Sequence, residues 1–116
     1  MRKSLLLFSL LLPGVAVSAA PDPALLYQQH CVACHGGDRL GGMGPALLPQ
    51  NLERLKKPEA LAVITAGRTA TQMAGFQDQL KPEEIQALAD FIYTPPTVMP
   101  QWGETEIRAS RVEPFK

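Results

Sequence analysis

The sequence predicts an all-α fold, and three observations carry that expectation. In the stretch Pro82 to Tyr93, residues Ile85, Leu88, Ala89 and Ile92 recur at spacings of three and four, one apolar stripe along a helix. Asp22-Pro23 supplies an N-cap followed by proline at the first helical position, and Ala24 to Cys34 continues without a breaker. No segment reads as a strand. With 116 residues, 46% of them hydrophobic and 19% charged, the chain is one small domain. The formal net charge is zero and the basic residues are scattered, so neither a nucleic-acid footprint nor a polybasic stripe for anionic lipid is present.

The elements follow in order. Arg2 and Lys3 form a charged start, Leu5 to Leu12 an apolar run, and small residues close the segment, the pattern of a secretory signal over residues 1–19 with cleavage after Ala19 or Ala20. The apolar run ends at Pro13-Gly14, far short of the roughly 20 residues a membrane span requires. A periplasmic protein with no membrane span, read as a monomer, is expected. Losing Arg2 and Lys3 leaves 9 basic against 11 acidic residues, near −2. The domain then runs from 20 to 94. Its first helix ends in the two cysteines. Residues 36–50 hold five of the nine glycines plus Pro45 and Pro49, a loop that passes close to something. Asn51 is expected to cap a short helix over 52–57, and Pro58-Glu59 to open another that runs through Ile64 and stops at Gly67. Residues 68–80 lack a period and contain Met73, after which Lys81-Pro82-Glu83-Glu84 opens the terminal helix with acidic residues in its first turn. Pro95-Pro96 ends it, and residues 95–116 read as an extended, Pro-rich tail with a lone Trp102. That Trp is expected to dock on its own domain, with docking on a partner as the other reading.

The chemistry is concentrated in Cys31-Val32-Ala33-Cys34-His35. A disulfide between these two thiols would close a tiny loop and constrain little. A zinc site would need His30, Cys31, Cys34 and His35 to converge tetrahedrally, which neighbours about 100° apart on a helix do poorly. A thioredoxin-type pair expects a strand before it. The spacing C-x-x-C-H is the signature of covalent haem attachment: two thiols on one helical turn add to the two vinyl groups of a haem edge, and the next residue, His35, ligates iron. One haem c consumes both cysteines of the chain.

Over residues 21 to 94 the sequence resembles the class I monohaem cytochromes c. The likeness rests on Leu26-Tyr27 ahead of the haem motif, Gly44-Pro45-Ala46-Leu47 after it, Met73-Ala74-Gly75-Phe76, and the stretch Leu80 to Tyr93. It implies a fold in which the N- and C-terminal helices cross around the haem. It also implies that the Pro45 carbonyl orients the His35 imidazole and that Met73 is the second axial ligand. Ala74 departs from the pattern, since proline commonly follows that Met. Met99-Pro100 has the dipeptide but falls after the terminal helix, and an open axial site is the remaining alternative. His30 and Met43 belong to the side of His35. A His/Met pair closes both axial positions and favours the reduced state. No Ser-His-Asp set, carboxylate pair or phosphate loop is visible, so an electron-transfer protein is expected and not an enzyme.

Including Thr94-Pro95-Pro96-Thr97-Val98-Met99-Pro100-Gln101-Trp102, the chain is further similar to the small cytochromes encoded beside the cytochrome cd1 nitrite reductase in denitrifying bacteria, the NirC type. That resemblance implies redox partners among nitrite reductase or the proteins that complete haem d1. A generic carrier for another respiratory enzyme, or an open-site haem acting as gas sensor or peroxidase, is the alternative. Arg39, Lys56, Lys57 and Arg68 are the candidate docking charges.

Overall fold

In a computed structural model, residues 19–99 and 101–110 are described. The expected leader lies outside them apart from Ala19. Helix α1, Pro23–His30, starts where Asp22 accepts from the backbone N–H groups of Ala24 and Leu25 at 3.0 and 3.2 Å. It does not run on to Cys34 as the sequence suggested. Cys31, at φ −118°, breaks the helical run while its N–H still reaches the Tyr27 carbonyl at 2.9 Å, and α2, Val32–His35, resumes as a single turn. Gly36, at φ +77°, ends that turn.

The expected helix over 52–57 is absent. A 3-10 turn, Pro49–Asn51, occupies the place just before it, and the chain becomes extended at Lys56. The difference lies at Lys56, which is the extended N-cap of the next helix and gives its N–H to the Glu59 carboxylate, so residues 56 and 57 belong to that helix start and leave too few upstream for a helix of their own. Helix α3, Lys57–Ala66, begins there instead, with Glu59 accepting from the Lys56 N–H at 3.2 Å and Gly67 at its end. Helix α4, Pro82–Tyr93, repeats the device, Glu84 accepting from the Lys81 N–H at 2.8 Å.

Helix α4 packs on both α1 and α3. Its buried side chains are Ile85, Leu88, Ala89 and Ile92, the four positions of the stripe. Each large aliphatic among them contributes about 1.5–3 kcal/mol by leaving water. They join Leu26 and Tyr27 of α1 and Ala60 and Ile64 of α3, with Leu52 and Leu80 from the loops, in one core. Extended pairing among the described residues is the isolated antiparallel bridge between Gly67 and Ala74. None of the described helices is long and apolar enough to cross a membrane.

The tail differs from the extended segment expected. It forms a short helix α5, Glu104–Ala109, in which Glu106 accepts from the Gly103 N–H at 2.8 Å and Glu104 pairs with Arg108 one turn on. These bonds are local, and α5 has no buried residue. Trp102 is 67% exposed, so it does not dock on its own domain.

Candidate functional site

Between α1–α2, the glycine-rich loop, α3 and α4 lies a cavity of about 680 Å³, within the range of cofactor pockets. Cys31 lines it from the break between α1 and α2, Cys34 and His35 from α2, Leu52 and Ile64 from the core, Leu88 and Ile92 from α4, and Met73 from the loop after α3. The cysteines are free and half-buried. Burial, reinforced by the neighbouring Cys34, pushes the Cys31 thiol up to about 11. A redox thiol needs the opposite, a lowered pKa that supplies thiolate. Among the described residues no three His, Cys, Asp or Glu side chains gather closely enough to hold one metal ion, so the four-ligand zinc arrangement does not form.

His35 is buried at 8% exposure, and its Nδ1 lies 2.7 Å from the Pro45 carbonyl oxygen. That oxygen accepts and cannot donate, so Nδ1 carries the proton and Nε2 is left with a free lone pair. The glycines of the loop permit the approach: a Cβ on Gly44 would stand 2.7 Å from the His35 Cε1. Backbone bonds tighten the same loop, Gly41 N–H to the His35 carbonyl at 2.9 Å and Gly44 N–H to the Cys34 carbonyl at 2.8 Å.

Met73 is held by its backbone. Its carbonyl accepts from the Arg68 N–H at 3.0 Å, its N–H donates to Thr71 Oγ1 at 3.2 Å, and Phe76 N–H closes onto the Ile64 carbonyl at 3.0 Å. Gly67 and Gly75 let this loop press on the end of α3, since a Cβ on either would meet backbone atoms at 2.6 Å. Of the other candidates, His30 lines the cavity with its ring edge-on to Phe76 at 5.7 Å. Met43, in the loop after α2, also lines it but is 78% exposed. Met99 stands in the tail and is not among the residues of the wall.

Sequence reasoning missed the work of two residues. Tyr27 is buried beside the haem motif, its hydroxyl donates to the Gly36 carbonyl at 2.8 Å, and burial pushes its phenol up to about 12, so it stays a donor. Arg39, expected among docking charges, is buried and bonded to the end of α4. The Arg39 bonds join parts of the chain 52 and 55 residues apart, and the Tyr27 bond reaches 9 residues on past the end of its helix, so no helical or strand period announces either.

A mostly apolar cavity with two free thiols, the imidazoles of His30 and His35 and the thioethers of Met43 and Met73 on its wall contains the donor types of a covalently attached haem. Residues 18–92 match the family described as cytochrome C oxidase, cbb3-type, subunit III. The chain is 49% identical over 114 residues to dihydro-heme d1 dehydrogenase of Pseudomonas aeruginosa, covering 98% of this chain and 23% of that relative. It thus spans about a quarter of that relative's length. A solved structure of dihydro-heme d1 dehydrogenase NirN in complex with DHE matches 80% of this chain and 20% of its own at 53% identity, with a TM-score of 0.72. The structure of the c-type cytochrome NirC matches 61% of this chain and 84% of its own at 31% identity, with a TM-score of 0.57. The chain belongs to this family of cytochrome c domains, with the class I fold, one covalently bound haem c and relatives of the NirC and NirN kinds.

Proposed function

We propose that this cytochrome c domain is a periplasmic single-electron carrier of the haem d1 and nitrite-reduction system. In this reading Cys31 and Cys34 would hold the haem covalently, each thiol adding across one vinyl group with no oxidant needed, and His35 and Met73 would ligate the iron. The observation that carries it is the shared cavity, whose wall includes Cys31, Cys34, His35 and Met73 together.

The haem supplies a one-electron iron couple when bound. The chain's own residues tune it. The bond from His35 Nδ1 to Pro45 fixes the ring and raises the basicity of Nε2. A Met73 thioether, soft and neutral, favours the reduced state. Leu52, Ile64, Leu88 and Ile92 keep the surroundings apolar, which disfavours the added charge of the oxidised state.

The similarity to a protein named dihydro-heme d1 dehydrogenase supports the haem d1 branch, because a dehydrogenation releases electrons that a one-electron carrier takes up singly. The similarity to NirC supports a carrier domain as such. Rapid mixing tests the choice. Oxidised, haem-loaded protein is mixed with dihydro-haem d1, and reduced protein with cytochrome cd1 nitrite reductase plus nitrite, each at several salt concentrations. Reduction by dihydro-haem d1 is expected. Fast, repeated, salt-sensitive oxidation in the second mixture alone would move the assignment to direct nitrite reduction, and no exchange in either would sink both. Carbon monoxide tests the ligation: the reduced protein is expected to resist it, and ready binding would mean an open axial site.

A further inference from the structure

We propose that Arg39 is a positioning residue that ties the glycine-rich loop to the end of α4 and so holds the carbonyl that orients His35. Its effect on the iron rests on His35 being the ligand; its effect on the loop does not. The residue sits in a backbone conformation that side-chain-bearing residues rarely adopt, φ +61°, and is 5% exposed. Its guanidinium donates to the carbonyls of Phe91 and Thr94 at 2.8 and 3.0 Å and lies 4.8 Å from the Phe91 ring centroid.

A buried charge is costly unless it is matched. Among the described residues no carboxylate lies within ion-pair distance of Arg39. The charge is matched instead by helix-end carbonyls, where the peptide dipoles of α4 concentrate negative potential, and by the face of an aromatic ring. Phe91 in turn packs on Tyr27 at 5.6 Å, and Tyr27 reaches the Gly36 carbonyl. The guanidinium therefore docks on a body that is itself bonded to the start of the glycine-rich loop.

The backbone of Arg39 closes the other half of the device. Its N–H donates to Gly36 at 3.2 Å and its carbonyl accepts from Leu47 at 2.8 Å. Between those anchors run Gly41, Gly44 and Pro45, the residues that bond or contact His35. A loop so rich in glycine has high conformational entropy when released. Cutting the guanidinium contacts frees it from α4 at its middle and leaves the Pro45 carbonyl less well placed.

The test compares Arg39→Gln and Arg39→Lys with the parent in the haem-loaded full chain. Amide exchange at Gly41, Gly44 and Leu47, the His35 Nδ1–H resonance and the reduction potential are read together. In Arg39→Gln the three amides are expected to exchange about tenfold faster or more, with the Nδ1–H signal and the potential both displaced. Arg39→Lys, which restores the cation without the fork, is expected to recover part of each. If faster exchange is confined to residues 91–94 while the loop amides, the Nδ1–H signal and the potential stay at parent values, Arg39 merely caps α4 and the proposal is overturned. Should Arg39→Gln not fold, Arg39→Lys is judged by the same criterion. Absence of iron-induced shifts at His35 in the parent would refute its ligation, and the loop amides would still decide the role of Arg39.

Discussion

Two loops face the same cavity and are built on opposite plans. The loop carrying Pro45 grips a side chain: its carbonyl bonds the His35 ring, and Gly44 lies against the imidazole. The loop carrying Met73 grips a backbone: Arg68, Thr71, Gly67 and Gly75 fix the main chain against α3, while the half-buried Met73 side chain keeps its three rotatable bonds. The first plan preorganises an imidazole in one tautomer and one orientation. The second holds a flexible thioether at a defined place on the cavity wall, and in the proposed ligation it would leave the final adjustment to the cofactor. The difference matches the chemistry of the two groups, since a ring must be aimed and a thioether can swing.

The comparison can be broken most forcefully at the glycines. Gly67→Ala adds a methyl 2.6 Å from the Met73 carbonyl at φ +79°, so strain and overpacking act together. A loss of about 2–5 kcal/mol in unfolding free energy is expected from denaturant titration. Gly44→Ala introduces overpacking without a positive φ, and about 1–3 kcal/mol is expected. The two should differ in kind as well as size. Gly44→Ala displaces the His35 ring and shifts the reduction potential, whereas a potential unchanged in that variant would mean the loop does not set the imidazole.

Met73→Ala sharpens the contrast at lower cost to the fold. Because the side chain is half-buried and its loop is held through the backbone, the chain is expected to lose no more than about 1 kcal/mol before haem is added. The reduced holoprotein should nevertheless bind carbon monoxide readily, seen as a shifted Soret band. Equal resistance in variant and parent would remove Met73 from the iron.

Truncation after Thr94 should change the thermal midpoint little, because Trp102 is 67% exposed and α5 buries no side chain. Slower electron exchange with a redox partner, at unchanged stability, would assign the tail to docking. A drop of more than about 1 kcal/mol would show that it supports the domain.

The smallest effect lies at the surface. The Lys57 ammonium at 3.0 Å and the Gln86 amide hold the exposed Asp90 carboxyl below the usual carboxylate range. A depressed folded pKa stabilises the protein above the unfolded value of about 3.9 and ceases to do so as pH falls through the folded one. Asp90→Asn is expected to cost about 0.2–1 kcal/mol at pH near 7 and nothing once the carboxyl is protonated. Equal losses at both pH values would deny the ion pair any part.

Much of this was legible in the residues themselves. The helix stripe of α4, the cap at Asp22, the proline that opens α4 and the motif Cys31 to His35 are local patterns, and local hydrogen bonding and periodicity decide them. The short elements were less legible. The break at Cys31, the 3-10 turn at Pro49 and the local helix α5 each turn on one or two bonds, too few to leave a period in the sequence. What the sequence by itself determined was therefore the haem-attachment motif, two thiols and the imidazole that follows them, and the helices that frame it. Only the tertiary structure decided that Arg39 is buried against residues 91 and 94, that Trp102 is exposed, and that both loops reach one cavity. Those outcomes depend on contacts between distant segments, whose free energy arises when α1, α3 and α4 have packed and is written in no single window of the chain.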